Sequence, residues 1–222
     1  VASPEAAVAL ARAIAAASSL RFAGVQYYCG AQQHIEKYED RRSAIEERTA
    51  YLMSVIDQLK SAGLAPEIIS GGGTGTHGID ARLGVFTELQ VGSYVFMDRQ
   101  YQDCDLRGGG DQPFESALFV DTHVISANSP GMATLDAGFK ALSTDGGSPK
   151  VAVGGPENSV FVFMGDEHGA LIAMDHGFKI GDAVSLAPPH CDPTVNLYDA
   201  YHIVRDGTLI DIWPVTARGR SR

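Results

Sequence analysis

The sequence predicts two parts of different class, an α/β part in residues 1–115 and an all-β part in residues 116–222. In the first part helical and strand patterns alternate, which is typical of parallel strands with helices outside them, in a barrel or an open sheet. In the second part short apolar segments follow one another with turn residues between them, which favours an antiparallel sandwich or barrel. The chain has 222 residues, 45% of them hydrophobic, which suits one large domain or two smaller ones.

The α/β part begins with a helix. Proline at the first turn of Ser3-Pro4-Glu5 marks its start, and the pattern continues to about Ser19. Glu5 and Arg12 interrupt the alanine-rich run, so we interpret it as an amphipathic helix and not as a signal peptide. The predicted elements that follow are a strand at 20–28, a helix from about 40 to 62, a short strand at 67–70 and at least one strand within 85–98.

The all-β part consists of strand patterns that are separated by turn residues. Strands are predicted within 117–127, 150–155, 159–174, 183–190 and 199–215. Turn signals fall at Gly165-Asp166, His176-Gly177, Gly181-Asp182 and Asp206-Gly207. Regular short strands of this kind predict antiparallel pairing.

Charge and composition exclude several classes of function. The formal net charge is -10 and the sequence pI is about 5.0, so we expect no nucleic-acid partner. No apolar run reaches the roughly 18 residues that a bilayer span needs, so we expect no membrane segment. The three cysteines, Cys29, Cys104 and Cys191, are too few and odd in number for a disulfide framework, which favours the cytoplasm.

Two segments carry donors that suit a phosphate. In 70-SGGGTGT-76, which follows a predicted strand, consecutive glycines let successive backbone N–H groups point into one concavity, and hydroxyls add further donors. The stretch matches neither a P-loop nor a dinucleotide fingerprint. Gly92-Ser93-Tyr94 lies at the end of the next strand and would close the same cradle. The alternatives are a flexible strand-to-helix connection for the first segment and an ordinary turn for the second.

Two histidine positions are candidates for chemistry. His34 follows the carboxyl end of a predicted strand, where barrel active sites lie, although it would also suit a solvated loop. In the stretch 188-PPHCDPTVNLYD-199, an extended backbone would place His190 and Asp192 on one face and Cys191 on the other. An imidazole and a carboxylate together suit manganese, magnesium or zinc. The alternative is an ordinary strand end.

These motifs together resemble one known family. The run from His190 to Asp199, with 70-SGGGTGT-76 and 88-ELQVGSYVFMD-98, closely resembles the metal-dependent D-threonine aldolases, which are related to the D-serine and hydroxyaspartate dehydratases. The resemblance implies an alanine-racemase-like fold, in which a (β/α) barrel that binds pyridoxal phosphate precedes an antiparallel β domain. Dehydratases of this group tend to carry cysteine at the place of Asp192, which favours the aldolase branch.

The resemblance also implies roles for these residues. His190 and Asp192 would hold a divalent cation, manganese foremost, and His34 would take the proton of the substrate β-hydroxyl. The reaction implied is the retro-aldol cleavage of a D-3-hydroxy-amino acid, such as D-threonine to glycine and acetaldehyde, by a homodimer. The residues expected to grip the cofactor phosphate are Ser70, Gly71, Gly72, Gly73, Thr74, Gly92, Ser93 and Tyr94.

The chain departs from this family in one respect, the lysine that forms a Schiff base with the cofactor early in the barrel. The lysines at 37, 60, 140, 150 and 179 all lie after the expected position or in the β domain. We therefore interpret the chain as the C-terminal portion of a longer enzyme. Two alternatives stay open: a D-3-hydroxyamino acid dehydratase, and a non-catalytic protein that binds phosphate or metal.

Overall fold

The computed structural model describes residues 1–156 and 158–220. Residue 157 and the last two residues of the predicted β domain therefore lie outside the described part. The chain divides into two compact units: Val1–Tyr94 with Asp103–Pro113, and Val95–Gln102 with the chain from Phe114 onward. Residues 95–102 thus belong to the second unit, although they precede the predicted boundary at 115. None of the described helices is long and apolar enough to cross a bilayer.

The first unit contains three helices and a small sheet. The elements in chain order are α1 (Pro4–Ala16), β1 (Gly24–Tyr27), α2 (Tyr38–Ser61), β2 (Ile68–Gly71), α3 (His77–Leu83) and β3 (Glu88–Leu89), with 3-10 turns at Gly30–Gln32 and Ser93–Val95.

Local chemistry sets the ends of α1 and α2. The hydroxyl of Ser3 accepts the backbone N–H of Ala6 at 3.2 Å, which caps the start of α1. At the end of α2 Gly63 has φ 75°, and the N–H of Leu64 donates to the carbonyl of Leu59 at 2.9 Å. This glycine-based cap satisfies the last carbonyls of the helix. Leu64 also packs against the buried contact between the two helices, to which Ala7 and Leu59 contribute.

The sheet of the first unit places three loops at one edge. Its order is β1-β2-β3 and its pairs are parallel, with Val25 opposite Ile69 and Ser70 opposite Glu88. This confirms the predicted α/β arrangement. Because parallel strands end at the same edge, the loops after Tyr27, Gly71 and Leu89 all begin there.

The predicted strand within 85–98 is much shorter than its apolar pattern indicates. Only Glu88–Leu89 pairs, and the chain then turns through Ser93–Val95. Met97 has φ 54°, a left-handed conformation that cannot continue a strand.

The second unit is mainly antiparallel sheet. Its elements are α4 (Arg99–Gln102), β4 (Val120–Ser129), β5 (Met132–Leu135), β6 (Lys150–Val153), β7 (Val160–Phe163), β8 (Gly169–Ile172), β9 (Ala183–Ala187), α5 (Cys191–Val195), β10 (Ala200–Arg205) and β11 (Thr208–Pro214). Six strands form a sheet of order β6-β9-β4-β5-β8-β7, and β10 and β11 form a separate hairpin. Every pair is antiparallel, which confirms the predicted β class.

The core of the second unit lies against the six-stranded sheet. Val124, Leu135, Leu171 and Leu186 each expose 1% of their surface or less and belong to one apolar cluster. Strand β5, to which Leu135 belongs, is absent from the predicted strands. It pairs with β4 across the turn at Gly131, whose φ is 78°.

Candidate metal and phosphate sites

The histidine and aspartate of the predicted metal pair lie at the start of a helix. His190 has extended φ and ψ of -144° and 120° and immediately precedes α5, while Asp192 lies in the first turn of that helix. The prediction of an extended backbone through Asp192 is therefore wrong. The two side chains nevertheless converge, with His190 Nε2 3.3 Å from Asp192 Oδ2.

The spacing of these two atoms suits a shared cation. Two ligands at right angles on one octahedral ion, each about 2.1 Å from it, lie about 3 Å apart. The His190 side chain is 29% exposed and that of Asp192 is 65% exposed, so that water or substrate has access to the pair. Within residues 1–156 and 158–220, no three or more His, Cys, Asp or Glu side chains cluster as a metal site. His190 and Asp192 are thus the two candidate ligands that the described residues offer at this position.

A second carboxylate contacts the other ring nitrogen of His190. Asp145 Oδ2 lies 2.5 Å from His190 Nδ1. Burial raises the pKa of the Asp145 carboxyl, but the hydrogen bond and charge of His190 outweigh it, so that the pKa lies below its ordinary value. No sequence motif marked Asp145, since it lies in a loop 45 residues before His190.

Buried polar groups fix the backbone around His190. The carboxylate of Asp98, which is fully buried, accepts the N–H groups of Cys191 at 2.8 Å and Tyr101 at 3.1 Å. The hydroxyl of Thr194 donates to the carbonyl of His190 at 2.8 Å. These bonds hold the start of α5 in place.

The thiol of Cys191 does not point away from the metal pair, contrary to the prediction. It donates to Asp192 Oδ2 at 3.3 Å. The prediction was wrong because it assumed a strand, in which adjacent side chains face opposite ways. In the first turn of a helix they do not.

In the first unit, the glycine loop 71–76 is buried and held by neighbouring side chains. Gln33 Oε1 accepts the N–H of Gly75 at 3.0 Å, and Gln33 Nε2 donates to Thr76 Oγ1 at 3.0 Å. The hydroxyl of Thr76 in turn donates to Asp80 Oδ2 at 2.5 Å. Gly72 has φ 65°. The loop is therefore a fixed structure and not a flexible connection.

The glycines in this loop also serve packing. A Cβ at Gly72 would lie 2.5 Å from Asp80 Oδ2, and one at Gly73 would lie 2.6 Å from Gln33 Oε1. Ser70, which the sequence suggested as a phosphate ligand, donates its hydroxyl to Glu88 Oε1 at 2.7 Å instead.

The structure brings the two predicted phosphate segments together. Thr74 Oγ1 accepts the backbone N–H of Tyr94 at 3.1 Å, and a threonine hydroxyl that accepts one bond keeps a hydrogen to donate. Gly92 is exposed and has open space where a Cβ would stand. The mouth of a cradle between the loops after β2 and β3 would thus lie near Thr74 and residues 92–94.

Comparison with known proteins identifies relatives of this chain. The family model described as "Putative serine dehydratase domain" matches residues 117–204. The 3-hydroxy-D-aspartate aldolase of Paracoccus denitrificans is 42% identical over all of this chain and 57% of its own length. The crystal structure of D-threonine aldolase from Filomicrobium marinum is 38% identical, with a TM-score of 0.88 over 96% of this chain and 57% of that one.

The chain is thus similar to D-threonine aldolase and 3-hydroxy-D-aspartate aldolase over nearly all of its length. This similarity confirms the resemblance that the motifs predicted. The chain spans 57% of the length of these relatives. The crystal structure of an "ala racemase-like protein" from Idiomarina loihiensis, 19% identical, superposes with a TM-score of 0.78 over 96% of this chain and 60% of that one. That likeness confirms the predicted alanine-racemase-like fold.

His34 lies at the carboxyl edge of the sheet of the first unit. It follows the 3-10 turn after β1 and is half-buried, and its Nε2 atom is buried. The adjacent Gln33 is fully buried and bonded to the glycine loop. The structure therefore brings His34 to the same edge as that loop. Gln33 was not identified from the sequence, because a glutamine in a polar loop carries no distinctive signal.

One buried carboxyl lies behind the glycine loop. Asp80 lies directly behind Gly72, and burial raises the pKa of this carboxyl above its ordinary value, although the Thr76 hydrogen bond and nearby His77 lower it. A phosphate placed at this loop would find the hydroxyl of Thr74 as a donor.

Proposed function

We propose that this chain takes part in the retro-aldol cleavage of D-3-hydroxy-amino acids to glycine and an aldehyde, with pyridoxal phosphate and a divalent cation as cofactors. The observation that carries the proposal is the convergence of His190 Nε2 and Asp192 Oδ2 at 3.3 Å in a chain similar to D-threonine aldolase. Manganese is the proposed cation, and magnesium and zinc are the alternatives that an imidazole and a carboxylate allow.

Different residues of this chain would bind the metal, accept the proton and bind the cofactor phosphate. His190 and Asp192 would hold the cation, which when bound polarises the substrate hydroxyl and lowers its pKa. His34 would accept the proton from that hydroxyl. The loops at 71–74 and 92–94 would bind the phosphate of the cofactor, which when bound acts as the electron sink for the bond that breaks.

Cleavage is favoured over dehydration for two reasons. Asp192 occupies the place at which the resemblance expects cysteine in dehydratases. The Paracoccus denitrificans relative with 42% identity is named an aldolase. The matching "Putative serine dehydratase domain" keeps a D-3-hydroxyamino acid dehydratase as the second candidate. The two reactions differ in products, because cleavage gives glycine and an aldehyde whereas elimination gives ammonia and a 2-oxo acid.

Product analysis tests the proposal. The complete product of the gene, supplied with pyridoxal phosphate and manganese, is incubated with D-threonine and with 3-hydroxy-D-aspartate, and L-threonine is the control. We expect glycine and aldehyde from the D substrates and loss of activity on adding EDTA. Ammonia and a 2-oxo acid in place of glycine would establish the dehydratase, and activity that is indifferent to EDTA would remove the metal from the mechanism.

A substitution at the metal pair gives a second test. Asp192→Ala removes one of two protein ligands, so we expect metal affinity and activity to fall together and excess manganese to restore part of the rate. Asp121→Ala is the control, because its carboxylate lies on β4 and accepts from Ser185. Equal losses in both variants would show that the effect is not specific to the metal pair.

We also propose that the enzyme acts as a homodimer in the cytoplasm. All three cysteines are free thiols, which supports a reducing compartment. The homodimer rests on the family resemblance and is tested by sedimentation of the complete gene product.

A further inference from the structure

The imidazole of His190 lies between two carboxylates. Asp145 Oδ2 is 2.5 Å from Nδ1 and Asp192 Oδ2 is 3.3 Å from Nε2. A neutral imidazole carries one N–H and one lone pair, and the nitrogen that binds a cation must present the lone pair. Whichever group binds the other nitrogen therefore decides whether Nε2 is able to act as a ligand.

We infer that Asp145 is a positioning residue of the metal site, which accepts the Nδ1–H of His190 and so keeps the lone pair on Nε2, beside Asp192. The inference rests on the metal site proposed above and adds a residue that does not itself bind the cation. In metal sites such a carboxylate fixes the tautomer and the ring orientation of the ligand histidine and raises its basicity.

The loop that carries Asp145 is fixed to the segment that carries His190. Ser143 Oγ donates to the carbonyl of His190 at 3.1 Å, and the N–H of Ser143 donates to Thr194 Oγ1 at 3.2 Å. On the other side of Asp145, a Cβ at Gly146 would lie 2.9 Å from the carbonyl oxygen of Pro189. These contacts on both sides of Asp145 set the distance between its carboxylate and the imidazole.

A second anchor holds the same loop from α4. The guanidinium of Arg99 donates to the carbonyl of Gly146, and the N–H of Arg99 donates to the carbonyl of Pro188 at 3.0 Å. One residue thus bonds to both loops. Such an arrangement limits the relative movement of the Asp145 carboxylate and the His190 ring.

The alternative is an ordinary surface ion pair. The Asp145 side chain is 54% exposed, and an exposed pair of this kind contributes little to stability. A surface pair predicts a small effect on stability and none on metal affinity. The positioning role predicts instead that removal of the Asp145 carboxylate weakens metal binding. Measurement of metal affinity therefore separates the two interpretations.

The experiment measures the manganese affinity and the His190 tautomer in the complete gene product. Manganese binding is followed by electron paramagnetic resonance, and nitrogen NMR of the metal-free chain reports which nitrogen of His190 carries the proton. We expect the proton on Nδ1 in the unaltered chain. Asp145→Ala should lose this preference and weaken manganese binding by about 10- to 100-fold.

Two variants complete the series. Asp145→Asn should lose less affinity than Asp145→Ala, because the amide oxygen still accepts the Nδ1–H. Asp121→Asn makes the same chemical change on β4, where the carboxylate accepts from Ser185, and should bind manganese like the unaltered chain. Circular dichroism of every variant checks that the fold is retained.

The outcomes separate this inference from the proposed function. Manganese affinity that is unchanged in Asp145→Ala, or a proton on Nε2 of His190 in the unaltered chain, would overturn the role of Asp145 and leave the metal site standing. Absence of manganese binding in the unaltered chain would overturn both. Loss of affinity with loss of the tautomer in Asp145→Ala supports both.

Discussion

At the scale of single residues, His34 is the side chain on which the proposed proton transfer depends. It lies at the edge of the sheet where the loops after β1 and β2 begin, and its neighbour Gln33 is bonded to the glycine loop at Gly75 and Thr76. A general base has to be held within hydrogen-bond reach of the proton that it accepts. The buried Gln33 supplies that constraint on the backbone of His34.

Replacement of His34 should therefore affect turnover and not cofactor binding. We expect His34→Ala to reduce kcat by about a hundredfold or more, the usual contribution of a general base, while pyridoxal phosphate binds as before. His202→Ala is the matched control, since His202 is exposed on the β10–β11 hairpin. A His34→Ala enzyme with a normal rate in a steady-state assay would exclude this residue from the mechanism.

At the scale of elements, Asp98 connects α4 to α5. Its carboxylate accepts the N–H of Tyr101 in α4 and the N–H of Cys191 at the start of α5. The residue is fully buried, so both donors would lose their partner in a dry environment if it were removed.

Removal of the Asp98 carboxylate should destabilise the fold around α5. We expect Asp98→Ala to lower the free energy of unfolding by about 2 kcal/mol, because a helix cap is lost and a buried N–H is left without a partner. Asp98→Asn should cost less, since one acceptor oxygen remains. Urea denaturation measures both variants, and an Asp98→Ala chain as stable as the unaltered one would contradict the connecting role.

Some helices and strands are predicted well from the sequence and others are not. The difference depends on how distinct the local residue pattern of each element is. The helix predicted from about 40 to 62 is observed from Tyr38 to Ser61, and its i,i+4 charge pattern is local enough to be recognised in the sequence. The strand expected within 85–98 shortens to Glu88–Leu89, because the backbone at Met97 adopts a conformation that apolar periodicity does not encode. β5 (Met132–Leu135) is too short to stand out as a separate pattern.

Prediction of the candidate sites from the sequence is limited in the same way, because it uses only local patterns. The sequence predicted that the side chains of His190 and Asp192 converge, because the two residues are two positions apart on an extended backbone. The side chains do converge, but the backbone from Cys191 onward is helical. Their supporting partners come from far along the chain: Asp145 lies 45 residues and Asp98 93 residues from the bonded partner. Gln33 reaches the glycine loop across 42 residues. Contacts of this range depend on the fold, so no spacing rule identifies them.

At the scale of the whole molecule, metal binding and folding stability are linked. A ligand that binds the folded chain and not the unfolded one adds RT ln(1 + [L]/Kd) to the free energy of unfolding. The metal pair depends on the start of α5 and on the loop at 143–147, which are formed only in the folded chain. A cation that occupies the pair should therefore stabilise the chain in proportion to the logarithm of its concentration.

Manganese at about 100 times its dissociation constant should raise the free energy of unfolding by about 2.7 kcal/mol. The net charge of -10 means that any divalent cation also screens self-repulsion, and this general effect has to be separated from the site. Asp192→Ala provides the separation, because it removes one ligand and leaves the remaining acidic surface almost unchanged. Thermal or urea unfolding with and without manganese should show the stabilisation in the unaltered chain and its loss in Asp192→Ala. Equal stabilisation of both chains would show that manganese acts through general charge and not through His190 and Asp192, and this result does not depend on whether the chain is catalytically active.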